Sequence, residues 1–425
     1  MRMTFAAAIG LGALAFVAPS AAQAPAPIAP EVAFNAALGM RVAPGAESGV
    51  FHPGLGRGAR HITVRANGDV FVAMLDGQIV ALRDADGDGK AERMERRFVG
   101  GTTSIEARGD FLYFSSDVAL FRLRFGEALM PDGEPEMIVS GWQRQRSHAH
   151  KTFALDDAGF VYINAATPSN ACQLQMRTPL SPGILPCPER EWTASIWRFR
   201  ADQPGQKLHK DGEKWAEGVR NAMAIAWDGA GKALYLAMHG RDSLDTLWPG
   251  RFTAEQSRDL PAEEFHRVGK GADLGWPYTY WDGGRNKRMT APEYGGDGKT
   301  EAQAGIYQDP LLAFPAHWAP NDLIFLDAGK GPAAWRGAAL IAFHGSWNRA
   351  PFEQQGYNVA IVPMKDGKPA GAAQVFADAF PGGTNPVASP NLAKARPTGL
   401  AQGPDGAIYI SDSVAGRIWR VTAAE

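Results

Sequence analysis

An all-β chain folded as a six-bladed β-propeller is the expectation, and three features predict it. One strand–turn–strand theme recurs six times, Gly and Asp punctuate its turns, and helical periodicity is nearly absent. In order, the theme reads "ANGDVFVAMLDGQIVALRD", "RGDFLYFSSDVALFRLRF", "DAGFVYINAA" with "ASIWRFR", "GKALYLAMHG", "GAALIAFHGS" with "NVAIVPM", and "PDGAIYISDSVAGRIWRV". Apolar and polar residues alternate in each, and Val, Ile, Tyr, Phe and Trp dominate, as half-buried strands require. Six unequal units separated by long inserts suit a radial ring, in which each blade buries its faces against its neighbours. "TAEQSRDLPAEEFHRV" holds a turn or two of helix and little else does.

Residues 1–24 read as a secretory signal: Arg2, an apolar run from Phe5 to Ala18, then small residues around Ala22 to Ala24. That run is too short to anchor a membrane. Residues 25–50 form an Ala- and Pro-rich lead-in, expected to supply a strand to the last blade, and 51–425 form the propeller. Export to a periplasm or beyond makes a disulfide the expected fate of the two cysteines, Cys172 and Cys187. A net charge of -2 gives no reason to expect nucleic acid or an anionic membrane as partner, which leaves small molecules.

Several polar constellations stand beside the predicted strands. "QRQRSHAHKTF" carries His148 and His150, either a general base or ordinary loop histidines. "GVRNAMAIAWD" places Arg220 and Asn221 before a strand, and "AMHGRDSLD" puts Gly240, Arg241 and Asp242 at a turn whose carbonyls suit a hard cation. Lys394 and Arg396 precede the sixth unit as Arg60 precedes the first, so cations would converge on the axis. "IAFHGSWNRAPF" ends a strand in His344, Ser346, Asn348 and Arg349, which fits either a wetted loop or the rim of a pocket. "DADGDGKAERME" matches a calcium-loop pattern running from Asp84 to Glu95, although a strand precedes it where a helix is usual, and reads either as a calcium site through Asp84, Asp86 and Asp88 or as an acidic hairpin turn. There is no C-x-x-C-H for haem, no G-x-S-x-G and no H-E-x-x-H, and "GLGRGA" lacks a βαβ context.

Five ordered motifs, "GVRNAMAIAWD", "PAEEFHRVGKGADLGWPYTYWD", "FPAHWAPNDLIF", "FHGSWNR" and "ARPTGLAQGPDGAIYISD", together resemble the glucose/sorbosone dehydrogenase family, nearest its sorbosone and pyranose dehydrogenase branch. The resemblance implies a six-bladed enzyme using pyrroloquinoline quinone (PQQ) and calcium. It places Arg60, Arg220, Asn221, His344, Asn348 and Arg396 around the quinone, with Arg396 also polarising the reactive carbonyl. The main-chain carbonyls of Gly240 and Arg241 would hold the cofactor calcium, and His148 would be the general base that takes the hydroxyl proton. Departures from the glucose-oxidising branch, among them Lys394 beside Arg396 and the "HGSWNR" set in place of a lysine, set glucose apart from the expected substrate.

The implied activity is oxidation of an aldose or aldehyde sugar to lactone or acid. Without haem, the electrons must pass to a separate acceptor such as a soluble cytochrome. Two rivals remain at this stage: a calcium-dependent lactonase and a non-catalytic binding propeller.

Overall fold

The computed structural model describes residues 24–27, 32–101, 103–383 and 386–424. The expected export signal lies outside the described residues except for Ala24. Six sheets, each built on four up-and-down antiparallel strands, form the expected blades, and blades two and three add a short outer strand paired in parallel. Their innermost strands are Ala59–Val64, Ile105–Arg108, Phe153–Leu155, Ala224–Asp228, Pro320–Phe325 and Pro397–Gln402. The second strands are Val70–Met74, Phe111–Ser115, Phe160–Ala165, Ala233–Met238, Ala339–Phe343 and Ile408–Asp412.

The core lies between blades rather than within them. Phe71, Ile79 and Ala81 of blade one meet Ile105, Leu112 and Phe114 of blade two. Leu120 and Ile138 of blade two meet Val161, Trp197 and Phe199 of blade three. Equivalent slabs follow between blades three and four, four and five, and five and six. The sixth slab joins Tyr409 and Ile418 of blade six to Ile62, Val72 and Val80 of blade one and so closes the ring. Each fully buried large side chain contributes about 1.5–3 kcal/mol, so every blade is stabilised by both neighbours.

The fourth strand of blade six is Ala46–His52, paired antiparallel with Ile418–Ala423. The lead-in thus supplies the closing strand, which runs on to His52. Just before it, Arg41–Val42 joins the edge of blade five, where Arg41 makes a two-pronged salt bridge to Asp378 at 2.6 and 2.8 Å. The anticipated helical turns are Ala254–Asp259, started by a capping box on Thr253 and Gln256. Glu263–Val268, the rest of that motif, is a strand of blade four. Among the described residues no helix is long and apolar enough to cross a membrane.

The inner strands surround an axial cavity of about 530 Å³ whose lining includes His61, Ser104, Glu106 and Asp322. Asp322 accepts the N–H groups of Leu323 (2.9 Å) and Leu400 (2.8 Å), tying blade five to blade six.

Candidate active site

Antiparallel pairing puts the start of each inner strand beside the end of the second strand: Ala59 faces Met74, Ala224 faces Ala237, and Pro397 faces Asp412. Residues just before an inner strand and just after a second strand therefore collect at one end of the axis. His148, Arg220 with Asn221, and Arg396 come from the first kind of position, His344 from the second, and Arg60 is the second residue of its own inner strand, at the same end.

These groups form two linked sets. In the first, Arg220 is buried and its Nη2 donates to Asp242 Oδ2 and to Asn170 Oδ1, both at 2.9 Å. Asn348 donates to the other Asp242 oxygen at 2.9 Å, and Arg177 reaches Asp242 at 3.4 Å. Burial alone would raise the Asp242 carboxyl, but Arg220, His317 and Arg177 outweigh it and hold the pKa at about 2. In the second set, Arg396 donates to the carbonyls of His344 (3.0 Å) and Gly345 (2.6 Å), and His344 Nε2 meets Ser413 Oγ at 2.8 Å. Gly345 has φ +70°, and a Cβ there would lie 2.4 Å from the Tyr357 ring, so this carbonyl arrangement requires glycine. Arg60 is buried with Nε unpartnered; burial, then its neighbour Arg396, lowers its pKa to about 10.

His148 belongs to the first set. Its Nδ1 lies 2.8 Å from the Thr167 carbonyl, which can only accept, so Nδ1 carries the proton and Nε2 keeps a free lone pair. Burial, then the positive charge of Arg220, pushes its pKa down to about 3. Gln145 steadies the loop by donating to the His148 carbonyl at 2.7 Å. His150 instead pairs with Asp117 at 3.2 Å, and the Lys151 ammonium is spent on the Ala149 carbonyl at 2.6 Å. Lys394 is exposed and lines a small peripheral cavity with Phe34 and Arg417, away from the axial groups.

His239 also stands in the site. It follows the second strand of blade four as His344 follows that of blade five, and its Nε2 donates to the Pro320 carbonyl at 2.8 Å. Burial lowers its pKa to about 4. The paired strings "AMHG" and "AFHG" were the signal that would have found it. The next residues form a pinned turn: the Gly240 N–H donates to Glu263 at 2.9 Å, and the Arg241 side chain to buried Glu293 at 2.5 Å. Among the described residues the Gly240 and Arg241 carbonyls enter no backbone hydrogen bond, which leaves both oxygens available to a cation.

Cys172 and Cys187 are disulfide-bonded. Their insert leaves the second strand of blade three at the site end and delivers Thr167, Asn170 and Arg177 to the contacts above. The acidic turn lies after the third strand of blade one, at the opposite end of the ring. There Asp84, Asp86 and Asp88 gather with Glu92, their ligand atoms all within 4.8 Å of one another. Glu95, the last position of the matched pattern, contacts Arg93 and the Met130 N–H, both at 3.2 Å, because it has already entered the fourth strand.

A family model described as TrAA12-like matches residues 40–424. The chain belongs to the TrAA12-like family. A curated pyrroloquinoline quinone-dependent pyranose dehydrogenase of Coprinopsis cinerea is 31% identical to this TrAA12-like chain over 210 residues, which are 43% of this chain. The match spans only 27% of that relative's own length. Among solved structures, the Trichoderma reesei family AA12 enzyme superposes with TM-score 0.73 at 18% identity, covering 91% of this chain and 98% of that one. The PQQ domain of the C. cinerea pyranose dehydrogenase in its holo form gives 0.69 at 19%, covering 94% and 100%. A PQQ-bound aldose sugar dehydrogenase of Streptomyces coelicolor gives 0.56 at 15%, covering 89% and 98%. At these identities the superpositions bear on the fold.

Proposed function

We propose that this TrAA12-like chain is an exported PQQ- and calcium-dependent dehydrogenase that oxidises an aldose or aldehyde sugar to a lactone or acid. The observation that carries the reading is the axial set of three arginines from different blades beside a histidine whose Nε2 is free. The donors suit a flat tricarboxylate: Arg60 keeps a buried, unpartnered Nε, and guanidinium forks match carboxylates in charge and geometry. Arg60, Arg220, Asn221, His344, Asn348 and Arg396 would hold the quinone, and the Gly240 and Arg241 carbonyls its calcium. When bound, that pair supplies the hydride acceptor and a Lewis acid.

The chain's own part is proton handling and orientation. His148 Nε2 takes the sugar hydroxyl proton, while the Thr167 carbonyl fixes the tautomer that leaves Nε2 unprotonated. Burial, with the charge of Arg220 second, keeps the imidazole neutral, and Asp242 fixes Arg220 and Asn348 together. Asp242 is already committed to those donors, and Glu263 beside it accepts the Gly240 and Ala319 N–H groups, which disfavours a lactonase metal site there. Electrons leave to a separate acceptor, such as a soluble cytochrome.

The test is to add PQQ and calcium to purified protein and follow reduction of an artificial dye with a panel of sugars. Dye reduction that needs both additions supports the reading. Lactone hydrolysis without quinone, or silence with no quinone-like absorbance, overturns it.

A further inference from the structure

Beside the axial site lies a second cavity of about 400 Å³, within the range of small-ligand pockets. Its wall is mainly aromatic and aliphatic, with Trp142, Trp192, Leu208 and His209, while Arg144 and Glu189 bring charge. Two buried polar atoms on this lining make no hydrogen bond: the donor Trp142 Nε1 and the acceptor Glu189 Oε2, the latter on a carboxyl group that also lies beside Ser169. Trp142 is only 6% exposed, so its N–H cannot turn to bulk solvent.

That pairing restricts what fits. An apolar occupant would leave both atoms orphaned, at about 1–3 kcal/mol each. An anion would meet Glu189, and a metal cation would satisfy Glu189 but not the indole donor. A hydroxyl both accepts and donates, and the C–H face of a sugar ring suits aromatic walls. We infer that this cavity is a subsite for a neutral pyranose ring, separate from the ring that is oxidised.

The cavity shares its inner wall with the loop that carries His148. Gln145 lines it and donates to the carbonyls of His148 (2.7 Å) and Ala166 (3.1 Å). Pro168, also on the lining, follows the Thr167 whose carbonyl holds the His148 ring. The occupant is either the second ring of a bound glycoside or a free sugar. Its relation to turnover rests on the dehydrogenase reading; its binding does not.

The test is tryptophan-fluorescence titration of the purified chain without quinone, using glucose and a glucose disaccharide. Saturable quenching is expected, with binding weakened about tenfold in both Trp142→Phe and Glu189→Gln. Trp142→Phe keeps an aromatic wall while removing the indole donor, Trp192 on the same lining remains as the fluorescent reporter, and unchanged melting confirms that each variant folds. No saturable quenching in the parent chain, or equal affinity in folded variants, overturns the assignment and means that water alone meets the two atoms. In PQQ-loaded protein, a disaccharide KM raised in the variants, with kcat/KM unchanged for the monosaccharide oxidised best in the sugar panel, identifies a second ring of the substrate. Loss of quenching with both KM values unchanged identifies a free-sugar site. Quenching that survives where PQQ-dependent turnover fails would sink the dehydrogenase reading and leave the subsite standing.

Discussion

The His148 ring is held at one nitrogen and free at the other, which makes it the most decisive single residue to change. His148→Ala should lower kcat by about 10²–10⁴ while leaving quinone binding, followed by its absorbance, intact. Its pH behaviour is a second check. With the pKa lowered to about 3, the imidazole is already neutral at every pH above about 4. The kcat/KM profile should therefore lack an acidic limb near pH 6.5, where an ordinary histidine would produce one. Such a limb, removed by His148→Ala, would contradict the burial described. Which residues would gather was legible where type and position coincide, as for Arg60 at the head of its inner strand and Arg220 and Arg396 just before theirs. Asn170 and Arg177 were not legible, because a long insert carries them to Asp242 and no local pattern encodes its path. His239 was legible only by comparing two blades.

At the scale of elements, the disulfide insert does more than close a loop of sequence separation 15. It sets Thr167 against His148 and Asn170 against Arg220. Cys172→Ser with Cys187→Ser should cost up to about 3 kcal/mol of stability by denaturant unfolding, as the chain-entropy model gives for such a loop. It should also weaken PQQ binding, which a remote staple would not do. The strands were legible from their β-branched and aromatic runs between Gly and Asp turns, but not their degree of burial: the alternation predicts half-buried strands, whereas Val70–Met74 and Ala339–Phe343 are buried throughout because both faces pack against neighbouring blades. The acidic turn was legible as a cluster but not in its last member, since Glu92 replaces Glu95 once the following strand begins at Arg93.

For the whole molecule, the axial cavity couples acidity to stability. Asp322 faces His61 at 3.8 Å, with Arg60 and Glu106 acting on it, and burial raises its pKa to about 8. In the unfolded chain an aspartate releases its proton near pH 3.9. The folded state therefore binds the extra proton between about pH 4 and 8, and the contribution falls as pH rises through that window. The stability difference between parent and Asp322→Asn, measured by urea unfolding, should shrink or reverse from pH 5 to 8; a constant difference would refute the assignment. The ring itself was legible from six repeats, whereas its closure by Ala46–His52 followed from the logic of unpaired edges rather than from any motif. That closure has a consequence for biogenesis. Ala46–His52 is synthesised early and waits for Ile418–Ala423, so nascent chains expose an unfinished edge until that strand emerges. A premature stop after Asp412 would leave two strands of the last sheet without the link between them. Such a product would be a substrate for quality-control proteases rather than a weakened enzyme.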